Sequence, residues 1–456
     1  MLASKLETVK YWAGQKLLHS PLHPYYLRIT GNVPKPCTYA RFIDAEALDP
    51  ADRALNTPLP PGFKLVLPEG AHLAPDAAFW LSQAAVQSDA DLIYADEDVE
   101  AGAPSGTRGQ PVFKPAWSPE LFAHCDYLGG AYLIREGIDL ANLKGRTIVH
   151  VPRVLFHRNA PAEYPLRDAA PTQSPQQRPQ SPPPQNITSS LVSIIICSRN
   201  PVLVAECLQS IRSKTAYKTY EIVLIDHRAG MAAVAERFGV AQHIRYEEDF
   251  NFARMCNAGV RASRGELLLF LNDDTLALDE NWLGLMAAQA DRRETGAVGA
   301  LLRYPDGRIQ HAGIYVGTSN GAGHPGRLSH GTPMWPWLTM TREQSAVTGA
   351  CLMMRREVFL EIGGFDETFP VNYNDTDLCL RCGKAGYKVI LEARALVEHR
   401  ESTTRETGIR YGERRRFLDR WGALIDRGDR YWNPNLTDNE LLLPDPEAFA
   451  RVHRWR

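Results

Sequence analysis

The stretch VSIIICS, residues 192–198, decides the fold of the C-terminal half of this chain. It is a short, β-branched and almost wholly apolar run, which is typical of a central strand buried on both faces of a parallel sheet. Residues 202–213 follow with apolar side chains at helical spacing, and YEIVLIDH at 220–227 indicates a second strand. A further helix candidate at 251–264 precedes the strand candidate GELLLFLND at 265–273. Strands that alternate with helices predict βαβ units and an α/β fold.

The bulk composition is that of a globular protein large enough for two or three domains. The chain has 456 residues, of which 44% are hydrophobic and 23% are charged. A formal net charge of −2 gives no overall attraction to nucleic acid, so we expect no nucleic-acid partner. No apolar run approaches the roughly 20 residues that span a bilayer. The scattered cysteines fit reduced thiols, which favours a cytoplasmic location.

Composition divides the chain into five segments. Residues 1–45 combine helical periodicity with interspersed lysines, which fits a surface helix or a helix resting on a membrane. Residues 46–158 have an α/β pattern with fewer strands. Pro, Gln and Ser dominate residues 159–190, which predicts an extended linker. The main α/β domain spans 191–425, and residues 426–456 form a C-terminal tail.

Carboxylates follow two of the predicted strands of the main domain. Asp226 ends one strand, and Asp273 and Asp274 end another. Ligands of open α/β sheets bind beyond the carboxyl ends of the strands. Because Mg²⁺ is usually held by one or two carboxylates together with substrate phosphates, Asp274 is a candidate ligand in a metal–diphosphate clamp. A helix cap at Asp226 and a turn at residues 272–275 are the structural alternatives.

Two later stretches supply a carboxylate and an imidazole. Asp375 precedes the helix candidate LCLRCGKAGY, where it is either a general base or a helix-capping residue. His399 follows the strand candidate EARALVEH and precedes Ser402, Thr403 and Thr404, which are residue types that contact phosphate; a structural histidine is the alternative. Together these parts suggest a displacement on a nucleotide-linked sugar. A metal and His399 would neutralise the departing diphosphate, and Asp375 would activate the attacking hydroxyl.

In this order the motifs resemble those of family 2 glycosyltransferases, specifically the bacterial polysaccharide and O-antigen type. The resemblance extends from Val192 to about Thr404 and implies a GT-A fold, the Rossmann-like fold of nucleotide-diphospho-sugar transferases. It is carried by VSIIICSRN, EIVLIDH, FNFARMCNAGVRASRGELLLFLNDDT, AVTGACLMMRREVFLEIGGFDETF, YNDTDLCLRCGKAGY and VEHREST. WNPNL at 432–436 resembles a tail of the same group.

The resemblance implies a role for each matching residue. The metal residues are Asn272, Asp274 and His399, with Asp274 the main ligand of Mg²⁺ or Mn²⁺. The nucleotide and donor residues are Ser198, Arg199, Asp226, Asp273, Gly349 and Ala350. Asp375 is the general base of an inverting single displacement. Asn272 departs from the family pattern, because an aspartate is usual at that position.

Acceptor-side candidates come from two places. Asn374 and Asp377 flank the proposed base. Trp335 and Trp337 lie in a loop-rich segment that also contains His311 and His324, and a purely structural loop is the alternative there.

The segment 46–158 resembles only the later part of such a domain. The likeness is carried by YADEDVEAGAPSGTRGQPVFKPAWSPELFAHCDYLGGAYLIRE at 94–136 and by VHVPRVLFHR at 149–158. The opening nucleotide-binding strand and helix are missing. We therefore expect an incomplete, GT-A-like and non-catalytic domain, in which the acids of 96–98 match the region of the metal motif.

The sequence thus predicts a hexosyl- or deoxyhexosyltransferase. It would take a nucleotide-sugar donor and extend a surface polysaccharide or a lipid-linked glycan. The Arg-rich region 394–430 is either a solvated face or a peripheral contact with the cytoplasmic face of the inner membrane. Two rival functions stay open: a non-catalytic glycan-binding or scaffold protein, and a nucleotidyltransferase or phosphatase. The second rival lacks a Gly-rich phosphate loop after the first strand.

Overall fold

The structure is a computed structural model. It describes residues 57–101, 107–164, 189–318, 320–332, 335–401, 409–437 and 442. Within these ranges the chain forms a six-stranded sheet, a ten-stranded sheet and a two-stranded hairpin, which confirms the predicted α/β class. Three predictions lie outside the described residues: the N-terminal helical segment, most of the linker, and the phosphate-contacting role of Ser402, Thr403 and Thr404.

The N-terminal domain is built around the six-stranded sheet. Its strands are β1 (Phe63–Val66), β2 (His72–Leu73), β3 (Leu92–Ala101), β4 (Thr107–Val112), β5 (Tyr132–Arg135) and β6 (Ile148–Arg158), and its helices are α1 (Ala77–Ser88) and α2 (Pro119–His124). The strand order is β1-β5-β3-β6-β2, with β4 paired to β3. Leu81 and Ala85 of α1 pack against Ile93 and Phe156 of the sheet, because the apolar residues of this helix recur at helical spacing.

The C-terminal domain opens with parallel strands connected by helices, as its sequence predicts. These elements are β7 (Val192–Ser198), α3 (Pro201–Ser213), β8 (Tyr220–His227), α4 (Ala232–Arg237), β9 (Gln242–Tyr246), α5 (Phe252–Ala262) and β10 (Leu267–Asn272). β10 lies beside β7, and both run parallel to β8 and β9. Ile194, Ile195 and Ile196 of β7 are buried, as expected for a strand covered on both faces.

The second half of this sheet contains both parallel and antiparallel strands. Its elements are β11 (Thr275–Ala277), α6 (Trp282–Ala290), β12 (Thr295–Arg303), β13 (Ile309–His311), β14 (Tyr315–Val316), β15 (Ala322–Gly323), a 3-10 helix (Pro336–Thr339), β16 (Arg342–Gln344), β17 (Cys351–Arg355), α7 (Arg356–Glu361), α8 (Asn374–Lys384), β18 (Lys388–His399) and α9 (Tyr411–Ile425). The order is β11-β18-β12-β17-β10-β7-β8-β9, with β13 on β12 and β16 on β18. The antiparallel strand β17 separates β10 from β12.

The strand order of the N-terminal sheet repeats that of the second half of the C-terminal sheet. Its order β1-β5-β3-β6-β2, with β4 beside β3, matches β10-β17-β12-β18-β11, with β13 beside β12. The strand directions agree as well: β3 and β6 are parallel, as are β12 and β18, and the other pairs are antiparallel. Among the described residues of the N-terminal domain, no strands correspond to β7, β8 and β9. This agrees with the incomplete GT-A-like domain that the sequence predicts.

The repeat corrects one detail of the sequence analysis. Asp96, Glu97 and Asp98 lie on β3, which corresponds to β12, whereas the metal motif follows β10. β1 corresponds to β10, and Phe63 pairs with Arg135 as Leu267 pairs with Arg355. Phe63 is therefore equivalent to Leu267. Counting forward from these two residues, Pro68, Glu69 and Gly70 are equivalent to Asn272, Asp273 and Asp274. The error arose because both strands are apolar runs that end near acids, so the local pattern cannot separate them.

The two domains share an apolar core. Tyr127 of the N-terminal domain lies against Trp337, with ring centroids 6.0 Å apart. Tyr164 contacts the same indole at 5.6 Å, so the packed N-terminal domain continues beyond the predicted boundary at residue 158. Trp335 and Trp337 are 1% and 0% exposed in this core. Their predicted acceptor-side role is therefore wrong, because the N-terminal domain helps to bury the loop that carries them.

Candidate active site at the carboxyl end of β10

The first loop of the C-terminal domain is tied to the acids that follow β10. β7 ends at Ser198, and parallel pairing places Cys197 of β7 opposite Asn272. The hydroxyl of Ser198 donates to Asp273 and accepts a hydrogen bond from the amide of Asn200 at 2.9 Å. Arg199 is exposed next to this contact. The structure therefore brings Ser198, Arg199 and Asp273 to one sheet edge, as predicted.

Asp226 is buried and holds the turn after β8. Its Oδ1 accepts from the amide of Ala229 at 2.9 Å, and its Oδ2 accepts from the amide of Met231 at 2.7 Å. Nε2 of His243 lies 3.0 Å from the same Oδ2. Burial raises the pKa of Asp226, but these donors outweigh burial, so the pKa lies below its usual value. Asp226 is thus ionised and shapes the loop, and its contact with a nucleotide stays a prediction.

The three predicted metal residues lie together. Oδ1 of Asp274 and Nε2 of His399 are 3.2 Å apart. Nδ2 of Asn272 lies 3.4 Å from the same imidazole nitrogen. The local fold explains this proximity: β11 follows the motif directly and pairs Thr275 with His399.

The donor set fits a divalent cation that is shared with a substrate. Within the described parts of the chain, no group of three or more His, Cys, Asp and Glu side chains surrounds a common point. The site instead offers the carboxylate of Asp274, the imidazole of His399 and the amide of Asn272. Mg²⁺ is usually held by one or two carboxylates, with substrate phosphates and water completing its coordination. The three residues therefore suit Mg²⁺ or Mn²⁺ bound together with a diphosphate.

Asp375 is connected to these residues through backbone contacts. The amide of Gly349 donates to Oδ2 of Asp375 at 2.8 Å. The carbonyl of the next residue, Ala350, accepts the amide of Asn272 at 2.9 Å. Asp375 is partly exposed, so its carboxylate is accessible. Gly349 and Ala350 thus connect the predicted base to the predicted metal residues, and their role near the donor sugar stays a prediction.

An unusual backbone conformation precedes Asp375. Tyr373 has φ = 62°, the left-handed region, which bulky side chains rarely adopt. Its ring stacks on Phe417 at 4.5 Å, and its hydroxyl donates to the carbonyl of Asn320 at 2.7 Å. These contacts hold the turn that presents Asp375 at the start of α8. The sequence gives no signal for this feature, since Tyr is not a residue type that favours positive φ.

The neighbours of Asp375 are structural. Asp377 is fully buried, and it accepts hydrogen bonds from Arg381 and Arg420, each at 2.8 Å, and from Trp421 at 3.0 Å. Asn374 is also buried and donates to the carbonyl of Val371 at 3.1 Å. Both predicted acceptor-side roles are therefore wrong. Successive side chains at a helix start point in different directions, so Asp375 faces the cleft while the other two face the core.

A polar cluster that sequence analysis missed lies beside His399. Arg327 contacts both carboxylate oxygens of Glu401, at 2.6 and 2.7 Å. The hydroxyl of Tyr304 donates to Glu401 at 2.5 Å and accepts from Arg327 at 2.9 Å. Burial raises the pKa of Glu401, but Arg327 and Tyr304 outweigh it and keep this pKa below its usual value. The available signal was the position of Glu401, two residues after His399.

The acids of the N-terminal domain are saturated by partners. Glu97 accepts from Lys114 at 2.9 Å and from Arg158 at 2.9 and 3.0 Å. Asp98 accepts from Arg108 at 2.7 Å. Burial raises the pKa of Glu97, but Lys114 and Arg158 outweigh it and lower this pKa overall. This arrangement is that of a neutralised structural core.

The third of these acids, Asp96, binds the WNPNL tail. Nδ2 of Asn433 donates to both of its carboxylate oxygens, at 3.0 and 2.8 Å. Nδ2 of Asn435 donates to Oδ2 at 3.1 Å. Asp96, Asn433 and Asn435 are all fully buried. The acidic strand of the N-terminal domain therefore anchors the tail of the C-terminal domain.

Several arginines of the Arg-rich region form intramolecular contacts. Arg420 pairs with Asp366 at 2.7 Å as well as with Asp377. Arg416 donates to the carbonyl of Thr368 at 2.5 Å. These contacts favour the structural alternative for this face. In the described ranges, no helix combines the length and the apolar character that crossing a membrane requires.

Comparison with known proteins adds the following similarities. Residues 193–363 match the family model described as Glycosyl transferase family 2. O-antigen biosynthesis protein RfbC of Myxococcus xanthus is 32% identical over 413 residues, which cover 77% of this chain and 32% of that protein. Uncharacterized protein y4gI of Sinorhizobium fredii is 30% identical over 446 residues, which cover 82% of this chain and 48% of that protein. The chain thus spans between a third and a half of the length of these curated relatives.

More distant similarities cover smaller parts or are weaker. An N-acetylglucosaminyl-diphospho-decaprenol L-rhamnosyltransferase of Mycobacterium tuberculosis is 31% identical over 127 residues, which cover 26% of this chain and 41% of that protein. The solved structure of GalNAc-T7 with UDP, GalNAc and Mn²⁺ has a TM-score of 0.40 at 18% identity and covers 47% of this chain and 44% of that chain. The mannosyltransferase PcManGT of Pyrobaculum calidifontis in complex with GDP-Man and Mn²⁺ has a TM-score of 0.38 at 15% identity. That match covers 61% of this chain and 79% of the mannosyltransferase chain. TM-scores this low support no argument about the site.

Proposed function

Because this chain carries a bacterial family 2 glycosyltransferase domain, as predicted, we propose that it moves a sugar from a nucleotide-diphosphate donor to a hydroxyl of a growing surface polysaccharide or lipid-linked glycan. The family match and the strand order of the C-terminal sheet confirm the GT-A fold. One relative is named for O-antigen biosynthesis and another for rhamnosyl transfer to a diphospho-decaprenol-linked sugar. These names support a glycan or lipid-linked acceptor.

The main support for the proposal is the chain of contacts that connects the proposed base to the proposed metal residues. Asp375 is bonded to the amide of Gly349, and the adjoining Ala350 is bonded to Asn272. Asn272 in turn lies against His399, which contacts Asp274. We assign the carboxylate to the side of the attacking hydroxyl and the diphosphate-binding set to the side of the departing group. A single displacement needs such an arrangement, because attack and departure occur on opposite faces of the sugar carbon.

Asp375 acts as the general base in this mechanism. Its two oxygens accept amide hydrogen bonds from Gly349 at 2.8 Å and from Thr376 at 2.7 Å. These donors orient the carboxylate and leave lone pairs for the proton of the acceptor hydroxyl. Proton removal makes the oxygen a better nucleophile as the sugar carbon becomes oxocarbenium-like. Direct attack by that oxygen inverts the anomeric configuration.

The departing diphosphate is bound at the opposite end of the site. Asp274, His399 and Asn272 would hold the divalent cation, which supplies positive charge against the leaving group when bound. Arg199 is exposed at the end of β7 and adds a cation on the nucleotide side. Ser198 orients Asp273 by donating to it, and Asp226 keeps the neighbouring loop in place. These contacts pre-arrange the nucleotide side before the donor arrives.

The N-terminal domain has a supporting role in this account. Its acids are bonded to Lys114, Arg158 and Arg108 and to the tail amides of Asn433 and Asn435. A carboxylate that is saturated in this way cannot also bind a cation. We therefore keep the non-catalytic scaffold function for this half of the chain.

A donor screen tests the proposal. Thermal unfolding is measured with UDP-glucose, UDP-galactose, UDP-N-acetylglucosamine, GDP-mannose and dTDP-rhamnose, each with Mn²⁺, with Mg²⁺ or with EDTA. We expect at least one donor to raise the Tm in a metal-dependent way, because a ligand that binds only the folded state stabilises it. Asp274→Ala should abolish the metal-dependent shift, and the matched control Glu280→Ala, an exposed acid nearby, should keep it. A Tm that no donor changes, or a shift that survives in Asp274→Ala, would contradict the proposal.

A further inference from the structure

Two histidines form a buried pair beside the proposed reaction centre. His311 ends β13 and is fully buried, and His324 follows β15 and is partly buried. Their Nδ1 atoms are 3.1 Å apart, which is a hydrogen-bond distance. The mechanism proposed above uses neither residue. The positions of the protons on the two rings determine what the pair can bind.

The proton positions follow from the hydrogen-bond network. Nε2 of His311 lies 3.3 Å from the backbone nitrogens of both Gly313 and Thr348. A backbone N–H can only donate, so Nε2 of His311 must be the acceptor and must carry no proton. Neutral His311 consequently carries its proton on Nδ1 and donates it to Nδ1 of His324. Neutral His324 must then carry its own proton on Nε2.

The pair also stays neutral. Burial lowers the pKa of His311 well below its usual value, and the neighbouring His324 and Arg342 lower it further. Burial lowers the pKa of His324 to about 4. Near neutral pH both rings are therefore uncharged, and the tautomers above are maintained. Nε2–H of His324 is then a donor that neither rotates nor changes charge.

A short backbone segment connects the histidine pair to Asp375. The amide of Thr348 donates to His311, and the next amide, that of Gly349, donates to Asp375. One peptide segment therefore fixes the histidine pair relative to the proposed base. The charge of Asp375 also acts on His324 by raising its pKa, although burial outweighs this effect. Nε2 of His324 makes no hydrogen bond within the part of the chain that the structure describes.

The position of His324 in the fold indicates which substrate it meets. It follows the β14–β15 hairpin, and its partner His311 lies on β13, which pairs with β12. The nucleotide side of the site is formed by the ends of β7 and β8, across β17 and β10. His324 itself follows a separate two-stranded hairpin, and its partner His311 on β13 is separated from the ends of β7 and β8 by β12, β17 and β10. A neutral ring also suits a sugar hydroxyl better than a charged diphosphate.

We propose that Nε2–H of His324 donates a hydrogen bond to a hydroxyl oxygen of the acceptor sugar beside Asp375. This inference rests on the proposed transferase function and names a residue that positions and selects the acceptor. A fixed donor recognises a hydroxyl by its lone pairs. An acceptor that lacks that hydroxyl leaves the donor unpaired and binds less well.

Two substitutions separate this role from a structural one. In His324→Asn, the amide oxygen can occupy the position of Nδ1 and still accept from His311, but the donor at the position of Nε2 is lost. In His324→Gln, the longer side chain can place an N–H group near the position of Nε2, but the acceptor for His311 is lost. The proposal therefore predicts opposite effects of the two variants on catalysis and on stability.

The experiment measures KM for octyl glycoside acceptors, hydrolysis of the donor in their absence, and Tm. We expect His324→Asn to raise the acceptor KM about five- to tenfold, with Tm and donor hydrolysis unchanged. His324→Gln should lower Tm and keep an acceptor KM close to that of the wild type. Unchanged KM in His324→Asn, or a KM defect that occurs only in His324→Gln, would overturn the inference and leave the transferase function standing. A wild-type protein that releases no nucleoside diphosphate from any donor would overturn both.

Discussion

The amide of Gly349 donates a hydrogen bond to Oδ2 of Asp375 over 2.8 Å. The next residue, Ala350, accepts the amide of Asn272 at 2.9 Å. The separation between the proposed base and the metal motif is therefore set by backbone contacts of one short loop. The contact between Asn272 and Ala350 joins main-chain atoms, so substitution of the Asn272 side chain should leave it in place, whereas the contact with Gly349 requires an acceptor in the side chain at position 375.

We expect Asp375→Asn to lower kcat by about two to four orders of magnitude. The amide oxygen of Asn can still accept from Gly349, although the amide nitrogen cannot accept from Thr376 as the second carboxylate oxygen does. The side chain can also no longer take a proton. The metal-dependent Tm shift caused by the donor should be unchanged. Steady-state kinetics and thermal unfolding on the same preparation check both expectations.

The control for this prediction is Asp377→Asn. This residue is in the same helical turn but is buried against Arg381, Arg420 and Trp421. We expect a lower free energy of unfolding, by about 1–3 kcal/mol, with kcat of the folded enzyme close to that of the wild type. If Asp377→Asn reduced kcat as strongly as Asp375→Asn while the protein remained folded, the assignment of the base would be wrong.

The attachment of the tail to the N-terminal domain gives a prediction about stability. Asn433→Ala removes two hydrogen bonds to buried Asp96 and should lower the free energy of unfolding by about 1–3 kcal/mol. Asn433→Asp, which is nearly isosteric, should cost more, because it places a second carboxylate against the first. Urea unfolding of both variants measures the difference. Two variants as stable as the wild type would show that the tail is not held by Asp96.

Asp429 gives a prediction about pH. It is a partly buried carboxyl group that accepts the amides of Val316 at 2.7 Å and Tyr431 at 2.8 Å. Burial raises its pKa to about 6, although the amides act in the opposite direction. An unfolded Asp titrates near about 3.9. Between these values the folded chain binds more protons than the unfolded chain, so the contribution of Asp429 to stability is present below about pH 4 and is lost as pH rises through 6.

We therefore expect the stability difference between the wild type and Asp429→Asn to depend on pH. The wild type should lose about 2–3 kcal/mol relative to the variant between about pH 4 and pH 7. Subtracting the two unfolding curves at each pH removes the contribution of the other titrating groups. A difference that is constant, or that grows with pH, would contradict the raised pKa of Asp429.

Much of the C-terminal fold follows from local sequence pattern. The β-branched run at 192–198 and the apolar run before Asn272 are buried strands, as expected for short apolar runs that are covered on both faces of a sheet. The order of Asp273, Asp375 and His399 along the chain also predicts the site, since parallel strands bring their carboxyl ends to one edge.

The remaining features depend on contacts between distant segments. Asp377 and Trp335 look exposed in sequence, and only the packing of α9 and of the N-terminal domain buries them. The bond between Asp96 and Asn433 joins residues that are 337 positions apart, and neither residue has a local signal for it. The equivalence of β3 with β12, which separates Asp96 from the metal motif, is visible only in the strand order.

The release of nucleoside diphosphate from the donor that raises the Tm is the most direct test of whether this chain is a metal-dependent glycosyltransferase. Steady-state release is measured with Mn²⁺ for the wild type, for Asp274→Ala and for the wild type in EDTA. The account predicts turnover by the wild type with Mn²⁺ and a loss of about two orders of magnitude or more in the other two conditions. Equal release in all three conditions would contradict it.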